Sequence, residues 1–184
     1  MNNTVIQFTD ISPEIIVEIC STLDAKSCYR LSLTSTQYVR VIYYCRSLKE
    51  HDIRNLNKFT LLTSLNLCAN KAINNISKLT KLTDLNLAYN QDIKDIRDLT
   101  NLTNLNLYFN KVIYNIDTLI KLTSLNLRNN KLIRSVNHLT NLTSLDLTNN
   151  EIILDISGLV KLKVLYKENS KVKKLPPQPL IIHT

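Results

Sequence analysis

From Phe59 onward the chain repeats itself every 20 residues, and this repeat restricts the possible folds more than any other feature. Five copies share the pattern L-T-x-L-x-L-x-x-N, followed by isoleucine or valine at two positions three residues apart. The L-x-L alternation points both leucines to one side of a short strand. Because no copy can bury its leucines alone, the copies must stack, which predicts a solenoid with a parallel sheet.

An asparagine follows the strand in each of the five copies. Its amide can satisfy backbone groups of adjacent copies that would otherwise be buried without partners. We therefore predict a structural asparagine ladder of Asn70, Asn90, Asn110, Asn130 and Asn150. The isoleucines beyond it indicate a tight convex segment of 3₁₀ or extended type, because 20 residues leave little room for an α-helix.

The copies LTSLNLCAN, LTDLNLAYN, LTNLNLYFN, LTSLNLRNN and LTSLDLTNN resemble the leucine-rich repeat family. The resemblance covers residues 59–168 and includes a divergent sixth copy, LKVLYKENS, with Lys167 at the second strand leucine and Ser170 at the asparagine. A terminal repeat, whose outer face meets water, would depart in this way. The resemblance implies an α/β solenoid with the parallel sheet on its concave face.

The first 50 residues have a helical period instead, and Ser12, Pro13 and Glu14 mark the start of a short helix. The stretch FTDISPEIIVEICSTLDAKSCYRLSLTSTQYVRVI resembles an F-box, a small three-helix bundle, although Ser12 stands where that family commonly has proline. This resemblance implies the substrate receptor of a cullin-RING ubiquitin ligase, in which the box binds the adaptor subunit. The implied adaptor-binding residues are Ile11, Pro13, Ile15, Ile16, Ile19, Leu31 and Leu33. In the alternative, these residues only fill the core of an amino-terminal cap.

Four segments are expected: an F-box-like bundle (1–50), a connector (51–58), the repeats (59–168) and a basic, proline-containing C-terminal cap and tail (169–184). The formal charge is +8, and its excess lies mainly in the lysines after residue 158. Charge runs are usually solvated faces. Since no aromatic stacking motif accompanies these lysines, nucleic-acid binding is not the favoured reading.

The concave face is the surface that solenoids use for binding. Residues that flank or split the L-x-L pair line this face, and exposed aromatic residues beside an arginine often dominate interface energy. The predicted partner-binding residues are Asp84, Tyr89, Asn104, Asn106, Tyr108, Phe109 and Arg128. In the alternative, Tyr89 and Phe109 tuck into the turn after the strand.

Catalysis is not expected. The chain has one glycine, which excludes a glycine-rich phosphate loop, and its three histidines lie far apart in the repeat pattern. No metal ligand spacing links the four cysteines, which indicate buried thiols in a reducing compartment, so no cofactor or metal is predicted.

The beginning of the sequence lacks the pattern of a signal peptide, and no apolar run is long enough to cross a membrane. We expect an intracellular protein, cytoplasmic or nuclear, that acts as a monomer on an unknown protein substrate. Two alternatives are an interaction scaffold without a ligase role and a secreted adhesin, the latter disfavoured by the missing export signal and cysteine caps.

Overall fold

The structure, a computed structural model, describes residues 62–71 and 73–184. The predicted F-box-like bundle, its adaptor-binding residues and the connector lie outside the described residues. Each strand is three residues long, and the strands are β1 (Ser64–Asn66), β2 (Asp84–Asn86), β3 (Asn104–Asn106), β4 (Ser124–Asn126), β5 (Ser144–Asp146), β6 (Val164–Tyr166) and β7 (Ile181–His183). They form one parallel sheet in sequence order.

The sheet keeps the 20-residue register of the sequence. Leu85 lies between Leu65 and Leu105, its equivalents in the neighbouring copies. The central residue of β1 to β6 is a buried leucine, and the residues on either side of it are more exposed. This arrangement confirms the predicted leucine-rich-repeat solenoid with a parallel sheet.

The core consists of leucine, isoleucine and valine side chains stacked from copy to copy. In one copy, Leu102, Leu105 and Leu107 have at most 3% of their surface exposed, and Ile113 and Ile116 have 1%. Burial of each such side chain is worth about 2 kcal/mol. Since every copy contributes equivalent residues, most of the stabilisation comes from contacts between copies rather than within one.

The convex segments consist of consecutive turns. The amide of Leu99 donates to the carbonyl of Ile96 at 3.0 Å, and the amide of Leu102 donates to the carbonyl of Leu99 at 3.1 Å. Both bonds span three residues, as in a 3₁₀-helix. No helix forms within residues 62–71 and 73–184, so the expected 3₁₀ character is limited to single turns.

The C-terminal residues continue the sheet. Ile181 of β7 pairs with Val164 of β6, seventeen residues earlier, and its amide donates to the carbonyl of Lys163 at 2.8 Å. Gln178 donates from Nε2 to the carbonyls of Leu159 and Leu162 at 2.7 and 3.1 Å. The β-branched pair Ile181 and Ile182 favours a strand at this position.

Candidate binding surface

The five predicted ladder asparagines are buried, and those from Asn90 to Asn150 donate to the backbone of the preceding copy. Asn90 donates from Nδ2 to the carbonyls of Leu67 and Asn70, at 3.1 and 2.9 Å. Its Oδ1 accepts from the amides of Asp92 and Ile93, at 3.0 and 2.9 Å. With both amide atoms engaged, the side chain has no capacity left for a ligand.

The ladder ends where the sequence pattern ends. Ser170 stands at the asparagine position of the sixth copy, and its buried hydroxyl has no hydrogen-bond partner among the described residues. The amide of Lys171 donates to the carbonyl of Asn150 at 3.3 Å, so a backbone group replaces the missing side-chain amide. The sixth copy is therefore held less tightly to the fifth at this position.

A second, threonine ladder was not anticipated from the sequence. The Thr83 hydroxyl donates to the carbonyl of Thr63 at 3.1 Å, and the Thr103, Thr123 and Thr143 hydroxyls make the equivalent bond to the preceding copy. The signal was the recurring threonine in L-T-x-L, which is invariant among the five copies. The threonine ladder lies at the start of each strand, and the asparagine ladder lies beyond its end.

A third row of polar residues occupies the last position of β1 to β5. Asn66, Asn86, Asn106 and Asn126, together with Asp146, each accept the amide of the residue two positions later. These local bonds shape the turn that leaves the strand. Asn106, which was predicted to contact a partner, accepts the amide of Tyr108 at 2.9 Å and thereby positions that tyrosine.

Tyr89, Tyr108 and Phe109 come together after β2 and β3, and we call this cluster the aromatic patch. The ring centroids of Tyr89 and Tyr108 lie 4.9 Å apart in an edge-to-face arrangement, and those of Tyr89 and Phe109 lie 5.2 Å apart. The exposed fractions of Tyr89 and Phe109 are 44% and 36%. Their rings therefore pack on each other and remain partly exposed at the surface.

Two cations border the aromatic patch. The Nζ of Lys111 lies 4.5 Å from the ring centroid of Phe109, and the guanidinium carbon of Arg128 lies 5.7 Å from that of Tyr108. Both distances fall in the range of a cation–π contact. A hydrogen bond with the side chain of Tyr108 is the main cause that raises the pKa of Tyr89, so the Tyr89 hydroxyl is uncharged at neutral pH.

The backbone beneath the patch is unusual. One residue per copy has a positive φ, and at this position Tyr89 has a φ of 56° and Phe109 a φ of 52°. This left-handed conformation is unfavourable for bulky side chains, whereas asparagine tolerates it. The later copies place asparagine there, at residues 129, 149 and 169. The second and third copies therefore carry an aromatic ring at some conformational cost.

The other predicted binding residues lie apart from the patch. Asp84 and Asn104 stand at the first positions of β2 and β3, the opposite end of the strands. Asn104 donates from Nδ2 to Oδ1 of Asp84 at 2.6 Å, and the Thr83 hydroxyl donates to Oδ2 at 2.7 Å. The predicted site is thus two groups: an engaged polar pair, and the aromatic patch with Arg128.

A cavity of about 560 Å³ lies between the convex segments, lined by residues that include Asn75, Asp95 and Arg97. Arg97 forms an ion pair with Asp95 at 2.7 Å, which lowers the pKa of that carboxyl to about 2.

Within residues 62–71 and 73–184, no group of three or more histidine, cysteine, aspartate or glutamate side chains could hold a metal ion. The same residues include no helix able to cross a membrane.

No protein-family model and no curated protein matches the chain. Its fold and repeated asparagine ladder define a leucine-rich-repeat solenoid, and solved structures of that class match it. One is internalin C2 from Listeria monocytogenes, with 26% identity and a TM-score of 0.52 over 63% of this chain and 56% of that chain. Another is the functional domain of InlJ from the same species, described as including a cysteine ladder, with 25% identity and a TM-score of 0.52 over 66% of this chain and 28% of that chain. The match therefore spans about half or less of those proteins.

Proposed function

We propose that the chain is a protein–protein interaction module that binds its partner through the aromatic patch and the adjoining concave face. The observation that carries this proposal is the cluster of Tyr89, Tyr108 and Phe109, in which Tyr89 and Phe109 are exposed and stand on backbone that disfavours bulky residues. Strain of this kind persists where the surrounding structure holds it, and it is concentrated at functional sites. The similarity to solved leucine-rich-repeat internalins supports an interaction scaffold.

The test is an affinity capture in which the wild type is compared with the double variant Tyr89→Asn/Phe109→Asn. Asparagine already occupies the equivalent backbone position in three later copies, so the variant is expected to fold. The control is Tyr114→Ala, which removes an aromatic ring that is 69% exposed in a convex segment. Proteins retained by the wild type and the control but lost from the double variant would support the proposed site. An unchanged set of captured proteins would show that the patch is not the site.

We further propose that this interaction module is the substrate receptor of a cullin-RING ubiquitin ligase, located in the cytoplasm or nucleus. The support is the resemblance of the first 50 residues to an F-box, which lies outside the described residues. In this proposal the chain has no active site and no cofactor, and it promotes ubiquitin transfer by holding substrate near the ligase. The alternative is an interaction scaffold in which the bundle only caps the first repeat.

A pull-down of the purified adaptor subunit separates these two alternatives. The wild type is compared with Ile15→Asp/Ile16→Asp, and circular dichroism checks that the repeats of the variant remain folded. Capture by the wild type that is lost in the variant would support the ligase receptor. If the wild type captures no adaptor, the ligase role is excluded and the scaffold remains.

A further inference from the structure

The aromatic patch lies among positive charges that have no acidic partner. Arg128 is exposed and contacts the Tyr108 ring, and Lys111 contacts the Phe109 ring. Neither cation forms an ion pair with any residue in 62–71 or 73–184. Lys131, at the position of Lys111 in the next copy, is also exposed, but its charge acts on Glu151 and lowers the pKa of that carboxyl. Two cations that form no ion pair among these residues therefore contact the rings.

The acidic side chains of the second and fifth copies make contacts of their own. Both carboxylate oxygens of Asp84 accept hydrogen bonds, from Asn104 and Thr83, at the opposite end of β2. Asp146 accepts the amide of Thr148 with one oxygen. Asp92 lies further round the same copy and lines the convex cavity together with Lys94 and Arg97. The charges in contact with the rings of the patch are therefore those of Lys111 and Arg128.

From this combination we infer that the partner presents an acidic, extended peptide segment with an apolar or aromatic anchor side chain. The anchor packs on the rings of Tyr89, Tyr108 and Phe109, and carboxylates on either side of it pair with Arg128 and Lys111. Aromatic rings supply most of the affinity in such contacts, and the charges supply selectivity and rate of association. This inference rests on the proposed binding function of the patch and specifies the chemistry of its partner.

The test is a selection from a random linear peptide library displayed on phage, carried out on the full chain. The same selection on Tyr89→Asn/Phe109→Asn identifies the peptides that depend on the patch. We expect the patch-dependent peptides to be rich in aspartate and glutamate around a phenylalanine, tryptophan or leucine. A thermal melt of the double variant by circular dichroism verifies its fold.

A synthesised, fluorescein-labelled peptide from this selection then gives affinities by fluorescence anisotropy. We expect a loss of roughly tenfold or more in the double variant. For Arg128→Gln and for Lys111→Gln we expect the affinity to fall by about twofold to fivefold. This difference from the wild type should become smaller as the salt concentration rises. Lys163→Gln is the matched control. It removes one exposed positive charge immediately before β6, at a residue that is not part of the aromatic patch.

The outcomes distinguish the inference from the proposed function. Patch-dependent peptides that are basic or uncharged would overturn the acidic partner and leave the patch as a binding site. Peptides that bind equally well to the double variant would overturn both the partner and the site. A selection that enriches no peptide from the library would overturn the inference of an extended peptide segment.

Discussion

The Nδ2 atom of Asn110 donates a 2.8 Å hydrogen bond to the carbonyl oxygen of Asn90, the equivalent residue in the preceding copy. The same relationship joins Asn90 to Asn70, Asn130 to Asn110 and Asn150 to Asn130. Each side chain therefore fixes the copy before it. The ladder is a continuous line of side-chain to backbone bonds inside the solenoid, and its strength can be measured one position at a time.

Asn110→Ala is expected to destabilise the solenoid strongly. The substitution leaves the carbonyl of Asn90 and the amides of Val112 and Ile113 without their side-chain partner. Because a buried polar group without a partner costs about 1 to 3 kcal/mol, we expect a total loss of roughly 3 kcal/mol in the free energy of unfolding. Urea denaturation followed by circular dichroism measures it. Asn101→Ala, which removes an exposed bond to the carbonyl of Thr80, is the control and should cost less than about 1 kcal/mol. Equal losses would contradict a special role for the ladder.

Thr123→Val is expected to have a small effect even though it removes a ladder bond. The carbonyl of Thr103 loses the hydroxyl of Thr123 but still accepts the amides of Thr123 and Ser124, at 2.8 and 3.0 Å. No buried backbone group is left unpaired, so the change in unfolding free energy should stay below about 1 kcal/mol. The same urea titration compares it with Asn110→Ala. A loss as large as that of the asparagine variant would show that the hydroxyl row, rather than the amides, holds the sheet.

Removal of residues 180–184 is expected to expose the edge of β6. The amide of Lys167 donates to the carbonyl of His183 at 2.9 Å, and this bond disappears with β7. We expect faster hydrogen exchange at the Lys167 amide, because an edge strand presents its amides to water. Exchange measured by NMR or mass spectrometry tests this. The amide of Leu107, which donates to Asn126 in the middle of the sheet, should be unaffected. Unchanged exchange at Lys167 would mean that β7 does not protect β6 in solution.

Arg97→Ala is expected to raise the pKa of Asp95. The hydrogen-bonded guanidinium holds this carboxyl at about 2, and without it the value should move towards the ordinary 3.8. The ion pair stabilises the folded chain at pH values above the ordinary pKa of the carboxyl, and this stabilisation is lost as the pH falls towards 2. The contribution is small, because both side chains are exposed to solvent. An NMR titration of the carboxyl carbon measures the pKa. Arg134→Ala, an exposed arginine of another copy, should leave it in place. A pKa unmoved by Arg97→Ala would show that the amides around Asp95 determine it.

The repeat made the solenoid and its register predictable, because burial of leucine imposes one spacing on every copy. Leu85 pairs with Leu65 and Leu105 for this reason. The seventh strand was not predictable in the same way. It breaks the 20-residue period, and only the β-branched pair Ile181 and Ile182 suggested a strand.

The candidate site was predictable in part. The alignment of copies placed Tyr89, Tyr108, Phe109 and Arg128 in neighbouring positions, and the structure brings them together. The prediction grouped them with Asp84 and Asn104, which begin the strands, because all of these side chains were expected to line the same concave face. The left-handed backbone position could have been suspected from the recurring asparagine at residues 129, 149 and 169, since asparagine tolerates that conformation.

The bond from each ladder asparagine to the one before it has a consequence for the length of this molecule. If one whole 20-residue unit is deleted from the middle or inserted there, every asparagine still meets an equivalent carbonyl and every leucine still meets a leucine. Lineages that carry such a gene can therefore gain or lose complete copies without an intermediate of broken packing. The second and third copies, which carry the aromatic patch, can in this way come to lie nearer to either end of the solenoid or further from it. The length of the concave surface then changes, but the residues of the patch stay the same.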